Sequence, residues 1–118
     1  MKKFLAVYLG SESGPAGVKW EALDKQTREN REKAGMAGWI KWGAENTKAI
    51  VDNGSPLGTT KRINAGGISD ITNQIAAYTI VQAESHEAAA KMFLNHPHFM
   101  IFPGDSVEIM ECLPIPGM

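Results

Sequence analysis

Residues 4–9 read Phe-Leu-Ala-Val-Tyr-Leu, an unbroken apolar and aromatic run that constrains the fold more than any other stretch. As a strand it puts Phe4, Ala6 and Tyr8 on one face and Leu5, Val7 and Leu9 on the other, so both faces need cover. The basic start Met1-Lys2-Lys3 gives the segment a superficial likeness to a secretory leader. The run is too short for that, and Ser11-Glu12-Ser13 follows it without a small-x-small cleavage signal. A buried first strand is the better reading, and a cytoplasmic location is expected. The lone Cys112 allows no intramolecular disulfide, so packing alone must hold the fold.

Beyond that strand the chain alternates elements with punctuation. Residues 10–17 are rich in Gly, Ser and Pro and read as a loop, with one helical turn expected over 20–23. Asp24 is a suitable N-cap for a long helix reaching about Asn46. Its first half carries both charge signs without an apolar stripe. Its second half places Met36, Trp39, Ile40 and Gly43 at helical spacing, to pack on a sheet. Gly35, Gly38 and Gly43 each cost about 1 kcal/mol in a helix relative to alanine, and close approach of another backbone would explain them. Short strands are predicted over 49–52 and 60–65, separated by the irregular turn Asn53-Gly54-Ser55-Pro56-Leu57-Gly58. After the Gly66-Gly67 turn, residues 75–82 alternate as a strand placed centrally in the sheet. Ser85 caps a second helix, with Ala89, Met92, Phe93 and His96 on one stripe and Pro97 ending it. Residues 107–113 supply the last strand.

This order is a βαββαβ plan: an α+β, ferredoxin-like fold with an antiparallel sheet and both helices on one side. Four strands make a sheet about 19 Å wide, and two helices cover only one such face. The second face stays apolar, so a homodimer with two sheets back to back is expected. The 118 residues fit one domain, residues 1–118. With 43% hydrophobic and 21% charged residues, disorder and coiled coil are poor readings. A formal charge of -1 and the absence of a long apolar segment argue against nucleic acid and against the membrane as partners.

Candidate chemistry gathers at His96-Pro97-His98, with Asp105 nearby. Two imidazoles beside a carboxylate can move protons near neutral pH. The structural alternative is that His96 finishes a helix at its negative end while His98 ties down a loop. His-x-His is also a metal-pair spacing, with Asp105 or His86 as a third ligand. The lone cysteine and the lack of His-x-x-x-His leave that set incomplete, and neither metal nor cofactor is expected. Trp39 and Tyr78, with Trp42, suit the wall of an apolar ligand pocket as well as a core. Gly54, Pro56 and Leu57 belong to a glycine-rich turn able to approach a ligand, and Lys61 or Arg62 to meet a carboxylate. At most one of those two neighbours can enter a given pocket. Hydrolase elbows, dinucleotide loops and Cys-x-x-Cys are absent.

Four blocks carry a family likeness: Gly54-Ser55-Pro56-Leu57-Gly58, then Ala83-Glu84-Ser85-His86-Glu87-Ala88-Ala89, then Asn95-His96-Pro97-His98, then Val107-Glu108-Ile109. In this order, over nearly the whole chain, they resemble the YCII-related domain family. The resemblance implies the dimeric α/β barrel superfamily, built from paired ferredoxin-like subunits. It also implies a pocket in which a His/Asp pair has been proposed as catalytic, with dehydrochlorinase activity attributed to certain members. This chain departs from that pattern. The family histidine would fall near Ala37 or Gly38, and His96 stands before Pro97 where the family has aspartate. The expectation is a homodimer binding a small organic ligand, with His96 as acid/base group oriented by His98 and Asp105. Trp39, Gly54, Pro56, Leu57, Arg62 and Tyr78 are the expected ligand contacts. A non-catalytic sensing or protein-interaction module is the alternative.

Overall fold

The computed structural model describes residues 1–117. The main sheet takes β1 (Lys2–Leu9), β2 (Ile50–Asp52), β5 (Ile75–Ala83) and β6 (Ser106–Glu111) in the order β2-β5-β1-β6. All three neighbouring pairs are antiparallel. That order and those senses are the ferredoxin-like plan, with β5 and β1 at its centre. Helix α1 spans Pro15–Glu21, α2 Lys25–Glu45, α3 His86–Lys91 and α4 Pro97–Met100.

Alternation decides what the sheet buries. Phe4, Ala6, Tyr8, Thr79 and Val81 point to the helical side and are sealed there with Trp42, Ala89 and Phe93. Leu5, Val7, Leu9, Tyr78 and Ile80 point the other way, where no helix lies, and are only partly covered by their strand neighbours. The helix caps follow from the sequence. Asp24 accepts from the Thr27 N–H at 2.7 Å and Ser85 from the Ala88 N–H at 3.0 Å, each satisfying an amide that the first helical turn leaves unpaired.

Five expectations are corrected. Helix α1 begins inside the expected loop, because Pro15 suits the first helical turn and Gly17 lets the helix close on the Ser11 and Glu12 backbone. The strand over 60–65 is β3 (Thr60–Asn64), and it does not join the main sheet. It pairs with β4 (Gly67–Ile71), a polar stretch without alternation strong enough to be read as a strand, and the two form a separate hairpin. Helix α3 stops at Lys91 and does not reach His96. Asn95 adopts a left-handed φ of 58°, and Pro97 forces His96 to be extended, so Pro97 opens α4 instead of ending a helix. On α2 the expected apolar stripe meets the core only through Trp39. Gly35 and Trp42 are buried, whereas Met36 and Ile40 are 56% and 69% exposed. Gly35 and Gly38 admit the Phe102 ring and Pro97, side chains where backbone was expected, and a Cβ on Gly43 would meet nothing within 4 Å.

Candidate functional site

Helix α2 and strand β5 diverge where the chain leaves β2, and the gap is a cavity of about 570 Å³. Trp39, Trp42 and Phe102 wall it, residues 76–79 of β5 run along its edge, and Met36 and Ile40 stand at its mouth. The floor along the sheet edge is built by residues 53–56. The Gly54 N–H donates to Asp52 Oδ1 at 2.8 Å, and Pro56 bridges to Ala77. Gly54 holds a φ of 67°, and a Cβ there would collide with the Tyr78 carbonyl oxygen. Only glycine lets this segment lie so close to β5. The polar residues on the lining are Asn53, Ser55, Thr79 and His98; among the described residues no Lys, Arg, Asp or Glu lines it.

His98 is held from several directions. Its Nε2–H donates to the Leu9 carbonyl oxygen at 2.8 Å, and the same oxygen accepts the Asp105 N–H at 2.8 Å. The Gly104 N–H donates to the His98 carbonyl at 2.9 Å, and Gly104 lies so close to the imidazole that a Cβ would overlap the ring. Burial lowers the His98 pKa, opposed by the Leu9 hydrogen bond and by the charge of Asp105. A neutral imidazole with its proton on Nε2 leaves Nδ1 as an acceptor. His98 therefore brings to the cavity wall a weak base in a fixed tautomer.

His96 sits behind that wall. It is 0% exposed and does not line the cavity. Its Nδ1 accepts the His98 N–H at 3.0 Å, capping α4. The proton then lies on Nε2, which has no hydrogen-bond partner. Rings enclose it: Trp39 at 4.6 Å and 90°, Trp42 at 4.8 Å and 70°, with Tyr8 and Phe93 beyond. Contact with aromatic rings is a weak substitute for a true acceptor. Burial, reinforced by the charge of His98, pushes the His96 pKa down to about 4. Tyr8 completes the layer. Its hydroxyl lies 2.9 Å from Thr79 Oγ1, which donates to the Asn53 carbonyl at 3.3 Å, and burial raises the Tyr8 pKa to about 12 despite the Thr79 hydrogen bond.

Of the residues singled out in the sequence, Trp39, Gly54, Pro56, Tyr78 and His98 meet at this one cavity. Leu57 is outside it in the exposed loop, and Arg62 lies on the β3–β4 hairpin opposite Ser69. Asp105 lines a different cavity of about 280 Å³, between α3 and β6, and reaches His98 only through its field. His86 donates from Nε2 to the Ile109 carbonyl at 2.7 Å, tying α3 to β6. Among the described residues no three His, Cys, Asp or Glu side chains are grouped to hold a metal ion. Thr79, Tyr8 and Phe102 escaped the sequence reading. The alternation that puts Thr79 and Tyr8 on one sheet face was the usable signal for that pair.

Over most of its length the chain is similar in structure to a solved enzyme, 5-chloro-2-hydroxyhydroquinone dehydrochlorinase (TftG) from Burkholderia phenoliruptrix AC1100, in complex with 2,5-dihydroxybenzoquinone. The match has a TM-score of 0.52 and 15% sequence identity, over 92% of this chain and 90% of that one. The two share a fold. Identity this low shows the fold alone and carries no residue roles. No protein-family model matches the sequence, and no curated protein matches it. No helix among the described residues is long and apolar enough to cross a membrane.

Proposed function

We propose that the chain is a YCII-like homodimer that binds a small, flat hydroxyaromatic molecule between α2 and β5, with His98 Nδ1 accepting a hydrogen bond from the ligand's hydroxyl. The observation that carries this is the cavity itself. Its walls are indole and phenyl rings, its polar lining is neutral, and its one imidazole keeps an acceptor nitrogen. Without a cation in the lining, a carboxylate would lose its hydration with no compensating partner, so neutral phenols are favoured over their acids. The fold neighbour's complex with a hydroxyquinone is in keeping with this class. In this reading His96 is a positioning residue, because it fixes the His98 backbone and does not reach the cavity. Asp105 modulates His98 from outside. Homodimerisation is supported by the uncovered sheet face of Leu5, Val7, Leu9 and Ile80.

Calorimetric titration with 2-naphthol and with 6-hydroxy-2-naphthoate tests the reading. The naphthol should bind and the carboxylate should bind at least about tenfold more weakly. Gly43→Leu, which grows a side chain into open space on the lining, should abolish naphthol binding while leaving the circular dichroism unchanged. Equal binding of both compounds, or binding indifferent to Gly43→Leu, refutes the assignment. One observation favours binding without turnover: among the described residues His98 is the only imidazole or charged side chain on the lining, so no second such group stands ready to stabilise a departing one.

A further inference from the structure

Residues 60–71 form a projecting hairpin. β3 and β4 pair with each other in register, Thr60 opposite Ile71 through Asn64 opposite Gly67, and their only extensive packing is mutual. The projection shows in the dimensions of the molecule: its longest axis is 54 Å and its radius of gyration 16.2 Å. A compact chain of this length would have a radius near 13.5 Å. Two strands alone are marginal in water. Yet the tip presents Ile63 opposite Ile68, 73% and 72% exposed, beside a Lys61–Asp70 ion pair of 2.7 Å. An apolar cross-strand pair held outward on a thin arm has no use within its own subunit.

We infer that the β3–β4 hairpin is an intersubunit arm whose Ile63–Ile68 pair docks on a second copy of this chain. The inference rests on the homodimer proposed above and adds to it the element that completes the interface. The area argument selects this occupant. The uncovered sheet face, about 19 Å by about 20 Å, gives each protomer a footprint near 400 Å², about half of the roughly 800 Å² per partner typical of stable complexes. An arm about 17 Å long and about 10 Å wide adds its own footprint and covers a like patch on the partner, raising the total to about 700 Å² per protomer. Two arms exchanged about a two-fold axis therefore bring the face close to the needed size. The arm's roots give the contact a consequence. The chain enters it from residues 53–56 and leaves it into residues 76–79, and both segments line the ligand cavity. A partner that holds the arm still thus steadies two walls of the cavity at once.

Sedimentation velocity over a wide concentration range is the test, on the wild-type chain, on I63S/I68S and on Val18→Ser. Val18 is an exposed apolar residue of α1 and controls for general stickiness. The expected result is a wild-type dimer, unchanged by Val18→Ser and weakened about tenfold or more by I63S/I68S. Because both isoleucines are exposed, the double variant should keep its circular dichroism. Hydrogen exchange gives a second readout: amides of residues 60–71 should gain protection as concentration rises. A wild-type monomer at all concentrations would sink the homodimer reading, and the arm with it. A wild-type dimer untouched by I63S/I68S, or hairpin amides equally unprotected throughout, would overturn the arm alone.

Discussion

His96 sets a limit on how acid the surroundings of this fold can become. The imidazole is fully buried, its Nε2–H has no acceptor, and its pKa lies at about 4 where an unfolded histidine titrates near 6.5. The folded value is the lower one, so between these limits the unfolded chain binds more protons and stability falls with falling pH. The contribution is complete above about pH 6.5 and is lost as the pH drops toward 4. The gap corresponds to about 3 kcal/mol, a large part of the roughly 5–15 kcal/mol that holds a domain together. His96→Asn keeps an acceptor for the His98 N–H and removes the titrating ring. Its absolute stability at pH 7 should be lower, since a smaller side chain leaves space among the indoles. What matters is the slope. Urea midpoints taken at pH 7, 5.5 and 4.5 should fall by about 1–2 M in the wild type and clearly less in the variant. Some slope survives, because the His98 pKa is also lowered by burial. If both proteins lose the same stability over this range, His96 is not the group being titrated and the account of its burial is wrong.

Two further substitutions probe glycines of opposite character. Gly43→Ala should stabilise the chain by about 1 kcal/mol and raise Tm by about 4 °C in calorimetry, since the new methyl meets nothing within 4 Å and the helix gains propensity. Gly104→Ala should cost about 2 kcal/mol in urea unfolding and move the His98 imidazole resonances, because the methyl would overlap that ring and drive it off the Leu9 carbonyl.

Much of the fold was legible because local chemistry and tertiary structure agree. Asp24 and Ser85 cap the helices whose starts they marked, and residues 75–82 pair on both sides in the sheet, as their unbroken alternation indicated. Legibility failed where a single residue redirects the chain. Asn95 in a left-handed conformation and Pro97 together turn a continuous apolar stripe, Ala89 to Phe93 to His96, into two helices, and His96 joins the same aromatic layer from a different element. The hairpin failed for another reason. Its β4 carries Ser69 and Asp70 after the exposed Ile68, so it lacks the alternating half-buried face by which strands are recognised. At the cavity, the aromatic residues and the glycine-rich turn could be named in advance. The division of labour between His96 and His98 could not, since it depends on which imidazole the Leu9 carbonyl captures, a contact between residues 89 positions apart.

That carbonyl has a spectroscopic use. Leu9 accepts the His98 ring N–H and the Asp105 amide on one oxygen, so its C=O stretch is softened by two donors at the very end of β1. Isotopic labelling of this single peptide group would shift its amide I band away from the rest of the protein. The band would then register any change of tautomer or charge on the imidazole, giving an infrared signal for the occupancy of the cavity.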